Sequence, residues 1–536
     1  MTARPRSWVR LGVLAGALGL GTWLRLRGLG ELPLHGDEHH TLFAADAGYR
    51  EILTTFDLVG SHVPLPLLQR VSMDLFGPGV VAFRLVAIVP GLLFLWCAHP
   101  LLSALVGRDA AALATAALAL NPMAIYYARF ARGYSLALWL ALLFGWSLQR
   151  VLTPERRGRG AWALLIASAA LLPWVHLSTL GFVLALALAA LVLAARESRA
   201  LLVRLAAAFA LAGALAALLF APVFGQVVSY FRANEPEPPP LSWLGVPTLL
   251  AGGRAAAWAG IVLVPLGAWL AWRERRTSVV LALASLLGPL ALLVATHPSG
   301  MDYAWARYLL SALPFLAALC ASAFVALVAR SPALASFAPA LGALACLALS
   351  FGEPLGPRAA RDGSFSNTYL ALHDLPAFDE PYPATPALYR TLAADPSVTR
   401  IVEAPSIYTR SVYLYRNYAL QHGKSVAIGW TGDTPRALRG GPYVRLLEIE
   451  PGRADWLVLH RDLAREVDAY FTFVFEQAWP RHAAPADESF MRRQENVHPG
   501  NLAEPELVER IAERLRERYG PPAYQDELVY AWRLMP

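Results

Sequence analysis

About eleven runs of mostly apolar residues fill the first 351 positions of the sequence. Each is near the roughly 20-residue length that a helix needs to cross the hydrocarbon core of a bilayer. They fall near 8–28, 80–106, 109–127, 133–152, 160–177, 179–195, 200–221, 246–271, 277–296, 308–329 and 333–351. Backbone in lipid must satisfy its own N–H and C=O groups, so such runs are helices. The sequence predicts a polytopic α-helical membrane domain over 1–351. The first run lacks a small-residue cleavage site and is followed directly by acids, so it reads as a retained anchor. Residues 352–385, rich in Pro, Gly and polar side chains, read as a linker. From 386 to 536 the composition is that of a soluble domain. There the strand-like runs "VTRIVEA", "SVAIGW", "YVRLLEIE" and "DWLVLH" alternate with the helical runs "SVYLYRNYALQHG" and "PELVERIAERLRERYG". Such alternation predicts a small α/β domain. His460, at the end of "DWLVLH", reads as structural.

Charged residues make up 16% of the chain, against about 25% in soluble proteins. The formal charge is nevertheless +7, and Lys424 is the only lysine among 46 basic residues. No basic patch is interleaved with aromatics, which argues against a nucleic-acid partner. The arginines stand instead in short clusters between apolar runs, which is a topology signal. Arg4 and Arg6, then Arg156, Arg157 and Arg159, then Arg196, Arg199 and Arg204, then Arg273, Arg275 and Arg276 all fall on one side of the alternating spans. That side is expected to be cytoplasmic. The other side then receives 28–79, 222–245, 297–307 and everything after 351, so the α/β domain is expected to be extracytoplasmic. Cys97, Cys320 and Cys346 lie in apolar runs and form neither a CxxC motif nor a disulfide framework.

The segment after the first run, "ELPLHGDEHHTLFAAD", places Asp37 and Glu38 beside His35, His39 and His40. The rest of 28–79 is long and amphipathic and is expected to lie on the membrane surface. Other outward segments also carry ionisable or polar groups: Arg129, Arg132 and Tyr134, then His176, then Arg307 and Tyr308. Ionisable groups at span ends facing one compartment mark a polar site. His35 and His39 have a zinc-like spacing, but Gly36 interrupts a helix there and no third ligand is evident. A hard divalent cation, Mg²⁺ or Mn²⁺, on Glu38 and Asp57 together with a substrate phosphate suits these oxygens better. A carboxylate can act as general base toward a hydroxyl, and arginines neutralise phosphate oxygens through bidentate hydrogen bonds. Together they fit attack of a hydroxyl on a carbon that carries a phosphate leaving group. At a membrane, a polyprenyl-phosphate sugar is such a substrate.

Five segments, in order over residues 8–330, resemble the polyprenyl-phosphate-sugar-dependent glycosyltransferases of the GT-C fold, relatives of protein O-mannosyltransferases and of the bacterial lipid A aminoarabinose transferase. "LHGDEHHTLFAAD" is similar to that family's first outer loop, where an Asp-Glu pair follows span one. "SHVPLPLLQRVSMDLFGPGVVAFRLVAIVPGLL" resembles its "HPPLYYLLL…LFG…ALRL" segment, with His62 at the His position and Val63 where the first Pro usually sits. "NPMAIYYARFARGYSLALWLALL", His176 after span five, and "ARYLLSALPFLAAL" complete the set. The resemblance implies an inverting hexosyl- or pentosyltransferase. Asp37 is then the base, Glu38 its partner or a metal ligand, and Arg132 and Arg307 the phosphate contacts. Arg129, Tyr134, His62, His176 and Tyr308 line the substrate site. The expected partners are a polyprenyl-phosphate sugar donor, a lipid, glycan or protein acceptor, and the bilayer.

Two other classes fit the same composition. A lipid-linked sugar flippase or transporter would use polar intramembrane residues for passage, but no inverted repeat is evident. A noncatalytic receptor or scaffold would leave the acids dispensable. Sugar transfer by the purified protein separates the transferase from the flippase.

Overall fold

The computed structural model describes residues 4–30, 34, 38–56, 63–233, 244–298, 302–352, 384–406, 408–430, 436–439, 442–450, 452–467, 469–470 and 505–534. Their α-helices are α1 (Arg4–Leu26), α2 (Glu38–Asp46), α3 (Tyr49–Thr54), α4 (Pro64–Phe76), α5 (Val80–Val106), α6 (Arg108–Leu120), α7 (Pro122–Arg129), α8 (Tyr134–Leu152), α9 (Arg159–Val175), α10 (Leu180–Glu197), α11 (Arg199–Phe220), α12 (Phe224–Ala233), α13 (Gly245–Ala251), α14 (Arg254–Ala271), α15 (Arg276–Thr296), α16 (Asp302–Tyr308), α17 (Leu313–Val328), α18 (Ala338–Gly352), α19 (Leu388–Ala394), α20 (Tyr408–His422) and α21 (Pro505–Tyr519). The chain divides into two compact units. One comprises Met1–Arg27, Ala47–Val71 and Arg84–His373, and the other Gly28–Asp46, Ser72–Phe83 and Asp374–Pro536. The 28–79 segment, expected to belong whole to the membrane domain, is thus shared between them. The expected linker lies almost entirely outside the described residues.

Every apolar run is helical. Among the described residues eight helices are long and apolar enough to cross a membrane, and a ninth crossing arises if the bent pair α6–α7 is one span. The helices Arg159–Val175 and Ala338–Phe351 are apolar but shorter. Between α10 and α15 the backbones approach through small residues: a Cβ on Gly288 would lie 2.3 Å from the Gly181 carbonyl oxygen. In lipid, where apolar burial gives helices little reason to associate, close van der Waals contact of this kind is what holds them.

Two expected straight spans are broken, each for a local reason. The 109–127 run bends by 58° between α6 and α7. Pro122 has no N–H to offer the Leu118 carbonyl one turn back. Asn121 caps the new helix by accepting the Ala124 N–H at 2.9 Å. The carbonyls released at the break are taken up by Arg25, a fully buried side chain of α1. Its guanidinium donates to Ala119 O at 3.0 Å and Leu118 O at 3.2 Å. The 246–271 run breaks between α13 and α14 at Gly252, whose φ of +87° ends α13 in the left-handed conformation. A Cβ there would lie 2.4 Å from Pro122 Cδ. Asn121 Nδ2 also donates to Leu250 O at 2.9 Å, so the two breaks are tied together.

The second unit carries the expected α/β domain. Its strands are β1 (Arg400–Ala404), β2 (Ser425–Trp430), β3 (Tyr443–Arg445), β4 (Trp456–His460), β5 (Tyr524–Gln525) and β6 (Val529–Arg533), in the order β3-β2-β1-β4-β6-β5. β1 pairs in parallel with β2 and β4, with Val402 opposite Ala427 and Leu457. β2 pairs in parallel with β3, while β6 runs antiparallel to β4. The central strands are buried on both faces, which accounts for their near-continuous apolar runs. Val508, Ile511, Ala512 and Leu515 of α21 recur on one helical face and pack against Leu457, Leu459 and Trp532. The β5–β6 hairpin was not among the strands expected from the sequence.

A polar chain crosses the core of this sheet. Glu403 of β1 and His460 of β4 are fully buried. His460 Nε2 lies 3.1 Å from Glu403 Oε2 and its Nδ1 2.9 Å from Glu466 Oε2. Tyr389 donates to Glu403 at 2.7 Å and Tyr418 to Glu466 at 3.0 Å. The Tyr418 ring stacks parallel on the imidazole at 5.7 Å. Burial alone would push the His460 pKa down, but Glu466 and Glu403 outweigh it and raise it to about 10. His460 is therefore an imidazolium that donates from both ring nitrogens.

Candidate functional site

The helical unit gathers four of the expected substrate-site residues. The short helix α16 ends in Arg307 and Tyr308, both half-buried. Three phenol rings surround the guanidinium: Tyr303 at 5.1 Å, Tyr308 at 5.1 Å and Tyr134 at 5.9 Å. Arg307 Nη2 also donates to Tyr308 Oη at 3.3 Å. Stacking on aromatic faces holds an arginine in place without consuming its donors. His176 closes the ring of contacts, with its imidazole 4.6 Å from Tyr134 and 5.7 Å from Tyr308. It sits where α9 ends, and its Nδ1 lies 2.8 Å from Ser178 Oγ, which fixes the ring orientation.

Arg132 lies in the turn between α7 and α8. The turn is buried and tight, with Arg132 N–H donating to Phe130 O at 2.6 Å. Tyr230 of α12 stands within electrostatic reach of Arg132, Arg307 and Tyr308 alike. Its ring meets Phe56 edge-on at 5.7 Å. Gln226, one turn earlier, holds that stretch of backbone: it accepts from Phe56 N–H at 2.6 Å and donates to Thr54 O at 2.7 Å. Tyr303 and Tyr230 were not expected from the sequence. Tyr303 stands four residues before Arg307, a same-face helical spacing that could have revealed it. Tyr230 carries no such signal.

Arg129 has a different task from its neighbour Arg132. It is buried, and its Nη1 and Nη2 donate to Leu24 O at 3.3 Å and Arg27 O at 2.6 Å, the carbonyls at the end of α1. One turn of backbone thus separates an arginine bonded to the end of α1 from one within electrostatic reach of Tyr230.

The acidic segment belongs to the other unit. Glu38 begins α2 and is fully buried, and its backbone oxygen accepts from Thr41 Oγ1 at 3.1 Å. Asp37, Asp57 and His62 lie outside the described residues. Among the described residues no group of three or more His, Cys, Asp or Glu side chains could hold a metal ion.

The fold and this cluster define a class: a helical protein with multiple membrane-spanning segments, an arginine–tyrosine site at its helix ends and a separate α/β unit. No family model matches the chain, and no curated protein does. Among solved structures it is similar to ArnT from Cupriavidus metallidurans in the apo state, with a TM-score of 0.47 and 16% identity over 86% of this chain and 94% of that one. It is similar to the archaeal oligosaccharyltransferase AglB from Archaeoglobus fulgidus in complex with an inhibitory peptide and a dolichol-phosphate, at 0.45 and 12%, over 86% and 70%. The arabinofuranosyltransferase AftD from Mycobacteria is similar at 0.43 and 17%, over 85% of this chain and 35% of that one.

Proposed function

We propose that the chain is an integral-membrane inverting glycosyltransferase of the GT-C type. It moves a hexosyl or pentosyl group from a polyprenyl-phosphate donor to an acceptor hydroxyl on the extracytoplasmic side. The observation that carries this reading is the Arg307 cluster, in which a guanidinium among three phenol rings, with an imidazole beside them, lies at the ends of apolar helices. Such a cluster suits a phosphate monoanion or dianion that stays tethered to the bilayer.

In this reading Arg132 and Arg307 bind the donor phosphate, and Tyr134, Tyr308 and His176 orient it. The acceptor oxygen attacks the anomeric carbon as the bond from that carbon to the phosphate oxygen breaks. The bonding pair leaves on polyprenyl phosphate, where the arginines stabilise the added charge. Asp37 takes the acceptor proton, and Glu38 orients Asp37. A divalent cation on Glu38 and Asp57 would add positive charge at the departing phosphate. The remaining assignments, His62 and Arg129, are to lining and packing.

The test is transfer of labelled sugar from a panel of synthetic polyprenyl-phosphate sugars by the purified full-length protein, with release of polyprenyl phosphate followed in the same samples. Label in an acceptor, with stoichiometric lipid phosphate, supports the reading. Transbilayer movement of the intact donor in proteoliposomes, without cleavage, replaces it with the flippase.

A further inference from the structure

The α/β unit has no task in the reaction as written, yet it makes specific contacts with the segment that carries the acids. Tyr443, the first residue of β3, is buried. Its hydroxyl accepts the Leu34 N–H at 2.5 Å and lies 3.3 Å from the Leu34 carbonyl oxygen, to which it donates. Both polar backbone groups of Leu34, three residues before Asp37, therefore meet one phenol. The Leu34 side chain is itself fully buried. At the other end of the segment, Arg436 N–H donates to Asp46 Oδ1 at 3.1 Å, at the last residue of α2. The Arg436 guanidinium forms an ion pair with Asp74 of α4. Tyr443 is fixed in turn by the sheet: it stands opposite Ile428 of β2, whose N–H donates to Pro442 O at 2.6 Å.

The short stretch from Arg436 to Tyr443 thus grips residues 34 and 46, which bracket Asp37 and Glu38. Within α2 the inward face is Glu38, Thr41, Leu42 and Ala45, all buried, so the helix has one seated orientation. We propose that the α/β unit is a positioning element for the acidic segment, with Tyr443 and Arg436 as its positioning residues. The kinetic role rests on the glycosyltransferase reading, but the grip itself does not. A base that is misplaced by about 1 Å can lose on the order of 100-fold in rate, so a rigid holder outside the substrate site has a kinetic consequence. Its signature is a loss in kcat with little change in donor KM, because neither residue is assigned to the donor.

The experiment uses full-length protein in detergent or nanodiscs. Tyr443→Phe removes one hydroxyl and keeps the ring. Arg436→Asp breaks the ion pair, and adding Asp74→Arg restores it with the charges exchanged. Expected are a fall in kcat of about 10-fold or more for Tyr443→Phe and for Arg436→Asp, donor KM within about 2-fold of wild type, and recovery in the charge-exchanged double variant. Hydrogen exchange of the peptide covering 34–46 should speed up in the two single variants and not in the double variant. Wild-type kcat in Tyr443→Phe, or a donor KM that rises as much as kcat falls, overturns the positioning role. Unchanged exchange at 34–46 in both single variants overturns the grip. Faster exchange in a protein that transfers no sugar even as wild type would instead remove the glycosyltransferase reading and leave the grip standing.

Discussion

His460→Gln should unfasten the sheet of the α/β unit. The substitution keeps approximate size and one donor but removes a charge flanked by two buried carboxylates, Glu403 and Glu466. Taking one partner from a buried pair leaves an uncompensated charge, at a cost of about 3–5 kcal/mol. The same two carboxylates raise the His460 pKa from the usual 6.5 to about 10. The sign follows from proton counts. Between pH 6.5 and 10 the folded state holds a proton that the unfolded chain has released. This contribution is therefore complete below 6.5 and declines as pH rises through 10. Hydrogen exchange in the full-length detergent-solubilised protein, read on peptides covering β1 and β4 and corrected for intrinsic rates, measures both effects. His460→Gln should lower protection by roughly 10²–10³-fold at pH 7. Wild-type protection of the same strands should fall from pH 7 to pH 10. Unchanged protection in the variant, or protection that rises with pH over that range, would refute an imidazolium clamped by two carboxylates.

The other expectations concern the helical unit and the acidic segment. Arg132→Ala and Arg307→Ala should each weaken use of the lipid donor, and Lys should rescue only in part, because a point charge lacks the bidentate fork; normal donor kinetics in both Ala variants would end the phosphate assignment. Asp37→Asn should lower turnover by roughly 10²–10⁴-fold at unchanged membrane abundance, and Glu38→Gln should also slow it; wild-type rates in both would shift the search for a base to Asp57. Reporters fused near residues 158 and 275 should be cytoplasmic and a C-terminal reporter external, and a cytoplasmic C-terminus would place the α/β unit on the wrong side of the membrane for the proposed reaction.

The helices were legible because lipid leaves the backbone no other option. An apolar run of sufficient length is read one residue at a time, without knowing its neighbours. The strands β1, β2 and β4 were legible for a related reason: burial on both faces produces a continuous apolar run in a soluble context. β6, with the β-branched and aromatic run "VYAWR", has the composition of a strand and was legible in principle, whereas its partner β5 is only two residues long. Glu403 inside "RIVEA" is a local anomaly in such a strand. What it answers to, His460, lies 57 positions away in the sequence and one strand away in the sheet.

The arginines show where sequence reasoning stops. Arg129 and Arg132 share a motif, and both are buried; the sequence offers no ground for giving them different work. The difference arises because α7 ends between them. Arg129, still on the helix, donates to the end of α1, whereas Arg132, in the turn, lies within electrostatic reach of Tyr230. α7 is where it is because Pro122 broke the span and Asn121 capped what followed. That break is stable because Arg25, 94 residues earlier, meets the carbonyls that the proline abandons. An Asn-Pro pair in an apolar run announces a break. Whether the break is tolerated in a low-dielectric interior depends on a distant donor that no local pattern encodes. The same dependence explains the acidic segment. Asp37 and Glu38 draw attention because other outward segments also carry ionisable groups, but the groups bonded to residues 34 and 46 on either side of them, Tyr443 and Arg436, belong to a part of the chain that the sequence presented as an independent domain.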